Sequence, residues 1–405
     1  MMDFYLETNQ KQICFGCEAC LQVCAKQAIS MIEDAEGFRY PKINADVCVN
    51  CGLCKKVCPA VSMPTASKDE KLAFGGCHIE RTVRERSTSG GAFSAIIDGW
   101  CHEEYVIFGA AAKGLKVYHT YIRDKAELSI LCKSKYAQSH MGDCFKQAKL
   151  FLQQGKQVVF SGTPCQIAGL RNFLKNTNTE NLLTIEVICE GIPSAHFMRS
   201  YEKALEKRYN AKIRDLDYRY KNMRAHSGKW DFQVMHTVLE NDKEFRKDRW
   251  FNPFWSIWLK HLMSRPSCYA CPFTTTERVA DITLGDLWGV HLYCKDLYAR
   301  NEGASLIVCN TAKGRSALEC AMPYLQGRNL EFDTALKYQS PMRKHIEGNP
   351  DREQFLQDVK VLEYHELCKK WATKPSLKLL WQKYIWGNRQ KVFFWNLKNR
   401  IRNKR

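Results

Sequence analysis

The sequence has no apolar run approaching the roughly 18 residues that a membrane-crossing helix needs. Its opening, MMDFYLETNQKQ, carries neither a basic start nor an apolar core. A spanning helix and an ordinary secretory leader are therefore not expected, and the expected setting is the cytoplasm, at most peripheral at the inner face of the membrane. Neither a Walker loop nor a GxGxxG fingerprint is present, which argues against a phosphate-binding loop and a Rossmann nucleotide fold. The 11 His follow no HExxH or comparable pattern, and no role is assigned to them. Pro and Gly, at 12 and 23, are too few for a long disordered region. The 405 residues therefore suggest two or three folded domains.

What is abundant is cysteine, with 20 residues. Disulfides are rare in the cytosol, so this many thiols points to metal binding. The chain also carries a net charge of +18. From Lys369 to Arg405 there are twelve Lys or Arg and no Asp or Glu, which leaves +6 for everything before them. Basicity concentrated in a tail makes nucleic acid an unexpected partner for the body.

Three segments are expected: 1–65, 72–345 and 350–405. The first holds an internal repeat and closes with the polar stretch MPTASKDEK, 63–71. In the second, apolar runs at 105–112, 157–162, 182–189, 280–289 and 304–310 read as strands. Helical patterns fall at 143–155, 195–209 and around Phe93, Ile96, Ile97 and Trp100. Their alternation predicts an α+β chain with a mixed α/β body. Residues 352–371 and 376–405 read as helices, the last set off by Pro375.

Cys14, Cys17, Cys20 and Cys24 form CxxCxxCxxxC, and Cys48, Cys51, Cys54 and Cys58 repeat it, ending in Pro59. At this spacing three thiolates wrap a 4Fe-4S cubane and the fourth reaches the other cluster. Cys58 is thus expected with Cys14, Cys17 and Cys20, and Cys24 with Cys48, Cys51 and Cys54. A pair of zinc sites would leave the third Cys of each run unexplained. Ala25 stands where Pro usually follows the fourth Cys, a local backbone change that removes no ligand. Between the runs, MIEDAEGFRYPKIN resembles the strand, turn and strand of a bacterial-type two-cluster ferredoxin, with Gly37 as the permissive turn residue. More than 300 residues follow, so electrons are expected to be used or collected within the same chain.

Cys268 and Cys271 form a CxxC before Pro272. Cys165 lies in SGTPCQ after a strand-like run, and Cys189 closes another before EGIPS. Taken alone, the CxxC suits a metal site, a redox dithiol or a zinc half-site, and a cysteine after a strand is commonly a small hydrophobe. The remaining thiols, Cys77, Cys101, Cys132, Cys144, Cys294, Cys309, Cys320 and Cys368, have no ligand spacing and read as core or surface residues.

STSGGAF (87–93), SKYAQS (134–139), SGTPCQIAGLRN (161–172), CEGIPS (189–194) and CYACPF…ADITLGDLWG (268–289) occur in this order. With the ferredoxin repeat, they resemble the beta-subunit family of coenzyme F420 hydrogenases and dehydrogenases across roughly residues 10–310. The resemblance implies that Cys165, Cys189, Cys268 and Cys271 hold a third 4Fe-4S cluster and that the body binds FAD. Ser87, Thr88, Ser89, Gly90 and Gly91 read alone as a helix cap. With the resemblance they are expected at FAD, as small residues before a helix that admit an anion. Lys135, Tyr136 and Ser139 are expected there too, Lys135 as a cation beside the reduced flavin; read alone they are a surface lysine and a packed tyrosine.

The expected function is that of an iron-sulfur flavoprotein oxidoreductase that links a ferredoxin or other redox carrier to a small-molecule substrate. Polysaccharide or nucleotide-sugar metabolism is one setting and coenzyme F420 chemistry another; a relay without an organic substrate is the non-enzymatic alternative. In the tail, Trp371, Trp381, Trp386 and Trp395 among the cations suit an anionic membrane surface, an acidic protein partner, RNA, or packing on the chain's own body.

Overall fold

A computed structural model describes residues 3–221, 234–248, 252–299 and 303–381, with 393, 394, 397 and 401. The N-terminal segment carries a short antiparallel pair, β1 (Ile29–Glu33) and β2 (Arg39–Ile43). Its tight turn is closed by Gly37 at φ 82°, as the sequence predicted. The dicluster segment is followed by β3 (Leu72–His78), which lies inside the main sheet.

That sheet has eight strands among the described residues. Besides β3 they are β4 (Tyr105–Lys113), β5 (Lys116–Ile122), β6 (Gln157–Gly162) and β7 (Leu182–Val187). A separate antiparallel sheet contains β8 (Ile213–Asp217), β9 (Met235–Leu239) and β10 (Glu244–Lys247). The main sheet then gains β11 (Ile282–Asp286), β12 (Ser305–Cys309) and β13 (Leu325–Leu330), and its order is β13-β3-β12-β11-β7-β6-β4-β5. Strands β4, β6, β7 and β11 are mutually parallel at its centre, and the flanking pairs are antiparallel.

A parallel centre must be covered on both faces, and alternation along the strands shows how. Ile107 and Val159 point into one core with the helix Ala92–Trp100. Val106, Phe108, Val158 and Phe160 point into the other with the helices Cys144–Gln153 and Pro164–Phe173. The second core also contains Cys17, Ala19 and Val57, so the dicluster segment packs directly on the body. Buried polar contacts fix this seam. Glu18 accepts from the Met141 amide at 3.0 Å and pairs with Arg39 at 2.6 Å, while Gln22 accepts from the Phe145 amide at 2.8 Å.

A third core joins the helix Ala195–Tyr209 to Trp255, Trp258, Phe355, Leu367 and Trp371. The expected C-terminal helix over 352–371 is two helices, Arg352–Val361 and Tyr364–Trp371. Trp371 is buried and donates to Asp358 at 2.8 Å, which makes it a core residue. Leu377–Trp381 is helical. Trp386, Trp395 and most of the basic tail lie outside the described residues. No helix among the described residues is long and apolar enough to cross a membrane.

Candidate functional site

Parallel strands end where a turn can present a side chain above the sheet, and the body uses adjacent strands in this way. After β6, Thr163 and Gln166 form a reciprocal cap that starts the helix Pro164–Phe173 and holds Cys165 in its first turn. Cys189 stands two residues past β7. Cys268 and Cys271 come from the turn Pro266–Ala270 and the residue after it. An isolated bridge between Pro193 and Ser264 ties that turn to the segment after Cys189.

All four cysteines line one cavity of about 220 Å³, with Phe15, Glu190, Phe273 and Arg278. Burial pushes the Cys165 thiol up to about 12 and that of Cys268 to about 11, and raises Cys271 and, further, Cys189. Neighbouring thiols reinforce the effect: Cys268 and Cys271 act on Cys165, and Cys268, Cys165 and Cys271 act on Cys189. Four desolvated thiols facing one space suit a cationic centre, because metal binding supplies the compensating charge and displaces their protons. Glu190, on the wall, also has its carboxyl raised by burial. Arg278 is neutralised by a buried pair with Glu186.

The N-terminal cysteines are grouped across the repeat. Cys58 lies within electrostatic reach of Cys14, Cys17 and Cys20, which is the crossed arrangement expected for the first set. Burial raises Cys17 and Cys20 strongly and takes Cys58 to about 11. Cys54 has Cys51 and Cys48 as neighbours and also acts on Cys20 and Cys58, so the two sets adjoin; Cys51 is exposed. Cys24, expected with them, accepts an N–H bond from Ala28 at 3.3 Å. The first set is also next to the body set, since Cys165 acts on Cys17. Among the described residues no three His, Cys, Asp or Glu form a group suited to a metal ion. A cubane holds its thiolates further apart than one tetrahedral ion does.

The residues expected at a flavin gather on a different loop pair. The Ser134 amide donates to Thr88 Oγ1 at 2.8 Å, joining the two segments. Their hydroxyls are committed within the chain: Ser87 donates to the Val83 carbonyl and Ser89 to that of Ala304, each at 2.7 Å, and Ser139 bonds His119 at 2.7 Å. Gly91 has φ 89°, which only glycine adopts freely. A Cβ on Gly90 would meet the Gly76 carbonyl at 2.6 Å and the Ser305 amide at 2.7 Å, so glycine there serves close backbone packing. Lys135 is half-buried, donates to the Cys132 carbonyl at 2.6 Å, and is lowered by desolvation to about 8. Tyr136 is packed among Tyr218, Phe254, Trp255 and Trp258. Lys221, which nothing in its sequence context marks, donates to the Arg84 and Ser89 carbonyls from a buried position.

Residues 155–330 match the sequence model for the C terminus of the coenzyme F420 hydrogenase/dehydrogenase beta subunit, and residues 13–61 match a 4Fe-4S dicluster domain. Over these two stretches the chain matches the family that its motifs resemble, the coenzyme F420 hydrogenase/dehydrogenase beta subunits. A ferredoxin-type 4Fe-4S dicluster segment thus precedes a body that matches the C-terminal part of such beta subunits. An uncharacterized polyferredoxin-like protein of Methanocaldococcus jannaschii is 36% identical over 65 residues, 14% of this chain and 39% of that protein. This chain therefore spans well under half the length of that relative. A solved chain of the xenon-derivatised F420-reducing NiFe hydrogenase complex of Methanosarcina barkeri aligns over 76% of this chain and 92% of its own length. The identity is 13% and the TM-score 0.43.

Proposed function

We propose that this chain is the electron-relaying subunit of a coenzyme F420-type oxidoreductase. In this reading Cys48, Cys51, Cys54 and Cys24 hold the outer cluster, Cys14, Cys17, Cys20 and Cys58 the inner one, and Cys165, Cys189, Cys268 and Cys271 a third. The observation that carries it is the meeting of those last four cysteines, from three separate stretches of chain, on one buried cavity beside Cys17. When bound, the clusters supply single-electron steps and FAD would supply two-electron hydride exchange.

The protein's part is positional. The exposed Cys51 puts the outer set within reach of a soluble carrier, and the shared core fixes the inner set against the body. Phe15 and Phe273 pack edge to face, 5.3 Å apart, on the cavity wall and limit water there. FAD belongs to the proposal through the family and through the cations at these loops: Lys135, which would stand beside the reduced flavin, and Lys221, whose ammonium donates to the Arg84 and Ser89 carbonyls. The committed hydroxyls of that loop favour a second reading, a relay without flavin. The family model favours coenzyme F420 over sugar chemistry as the setting.

Anaerobic reconstitution with iron, sulfide and FAD, followed by reduction with dithionite or ferredoxin, tests both readings. Bound FAD together with reduction of coenzyme F420 supports the proposal. Full iron content with no flavin bound under any condition moves the assignment to the relay.

A further inference from the structure

Arg265 is among the largest fully buried side chains, with 1% of its surface exposed. Its Nε donates to the Cys14 carbonyl at 2.9 Å, one terminal nitrogen to Gln138 Oε1 at 3.1 Å, and the other to the Arg39 carbonyl at 3.1 Å and to Cys14 Sγ at 3.5 Å. The guanidinium lies over the Tyr40 ring, 4.2 Å from its centroid. None of its hydrogen bonds among the described residues goes to a carboxylate. A buried cation without a counter-charge is costly. The chain's other buried guanidiniums show the usual solution, Arg278 with Glu186 and Arg219 with Asp286. The group able to carry negative charge that Arg265 hydrogen-bonds is the Cys14 sulfur, with Cys268 of the third set also within electrostatic reach.

From these contacts we infer that Arg265 is a redox-tuning residue, whose fixed positive charge raises the reduction potential of the cluster held by Cys14, Cys17, Cys20 and Cys58. The inference rests on the cluster reading above and adds the residue that sets the order of potentials. Reduction adds one electron, given by the carrier, and one negative charge to the Cys14 group, with no bond broken. A cation in hydrogen-bond contact with a ligand sulfur stabilises the reduced form more than the oxidised one, and burial keeps that attraction from being screened. The hydrogen bonds of Arg265 reach Cys14 and not Cys48, Cys51 or Cys54 among the described residues, so it separates the two N-terminal clusters in potential and makes the inner one the better acceptor. Its backbone carbonyl accepts from the Cys268 amide at 2.9 Å, which anchors the same residue to the third set.

The test is EPR-monitored redox titration of the full-length protein and of Arg265→Met and Arg265→Lys, each with its iron content measured. In Arg265→Met the inner cluster should become at least tenfold harder to reduce, about 59 mV for a one-electron couple, while the outer cluster stays in place. Arg265→Lys keeps the charge but not the planar fork, so its shift should be smaller and of the same sign. If Arg265→Met fails to fold, a downward shift of the inner cluster with the outer one unmoved in Arg265→Lys still supports the inference, and no shift of the inner cluster there overturns it. Equal shifts of both clusters, or none, overturn it as well. A wild-type protein without a cubane in the Cys14 group overturns the cluster reading together with the inference; an intact cubane indifferent to both variants overturns the inference alone.

Discussion

Gly169 lets the body helix pack closely against the dicluster loop. A Cβ added there would lie 3.0 Å from Cys17 Sγ, 3.3 Å from Cys17 Cβ and 3.4 Å from Ala19 Cβ. In Gly169→Ala the neighbours must give by a few tenths of an ångström. Against this strain, alanine in a helix interior gains about 1 kcal/mol over glycine. The two terms nearly cancel, so the apparent melting temperature should move little. In Gly169→Val two further methyl groups enter a contact already closed, and overpacking of this kind costs about 1–3 kcal/mol. The helix gain is also smaller for a β-branched residue. Cys17 is the group displaced, so the change should be read at the inner cluster. Anaerobic thermal melts and low-temperature EPR of wild type, Gly169→Ala and Gly169→Val check this together. The expected order is a near-normal spectrum for Ala and a lowered melt with a broadened or lost inner-cluster signal for Val. A valine variant with an unchanged spectrum and melt would refute the seam described here.

Cys58→Ser should damage the cluster built on Cys14, Cys17 and Cys20, because Cys58 sits among them; EPR showing loss confined to the Cys48 set contradicts the crossing. Gly90→Val should destabilise the whole fold rather than release a flavin selectively, since its side chain would strike β3 and the start of β12; normal melting with flavin loss alone would favour direct cofactor contact. Desolvation lowers His119, buried between Ser139 and the Ser161 carbonyl, from the usual 6.5 to about 4. The unfolded chain therefore binds the extra proton first, and the stability this neutral ring contributes is present above about pH 6.5 and declines as pH falls toward 4. By pH 5.5 the loss should be roughly 1 kcal/mol, read as a falling melting temperature that flattens in His119→Gln; a wild-type melt that is flat from pH 7 to 5.5 contradicts it.

The parts of the fold that were legible are those with strong local signals. The five apolar runs of the body are β4, β6, β7, β11 and β12, and the helix over 195–209 was readable from its periodicity. β3, β5 and β13 were not. LAFGGCH has two glycines and KVYHTYI mixes polar and aromatic residues, and what makes them strands is pairing with distant partners. The three-stranded sheet β8–β10 was missed because IRDLD buries only Ile213 and EFRK buries none of its residues. The cysteine repeat was readable because ligand spacing is local. The grouping of Cys165, Cys189, Cys268 and Cys271 depends on how strands separated by about a hundred residues lie side by side, and only the family resemblance pointed to it. Arg265 carried no signal at all: its importance comes from burial beside Cys14, 251 residues away in the chain.

The central claim is that the body holds a third cluster on Cys165, Cys189, Cys268 and Cys271. Iron and acid-labile sulfide in anaerobically prepared wild type and Cys268→Ser test it most directly. The account predicts about twelve of each per wild-type chain and about eight in the variant, with both N-terminal EPR signals retained. About eight in the wild type, or the same content in both proteins, would contradict it.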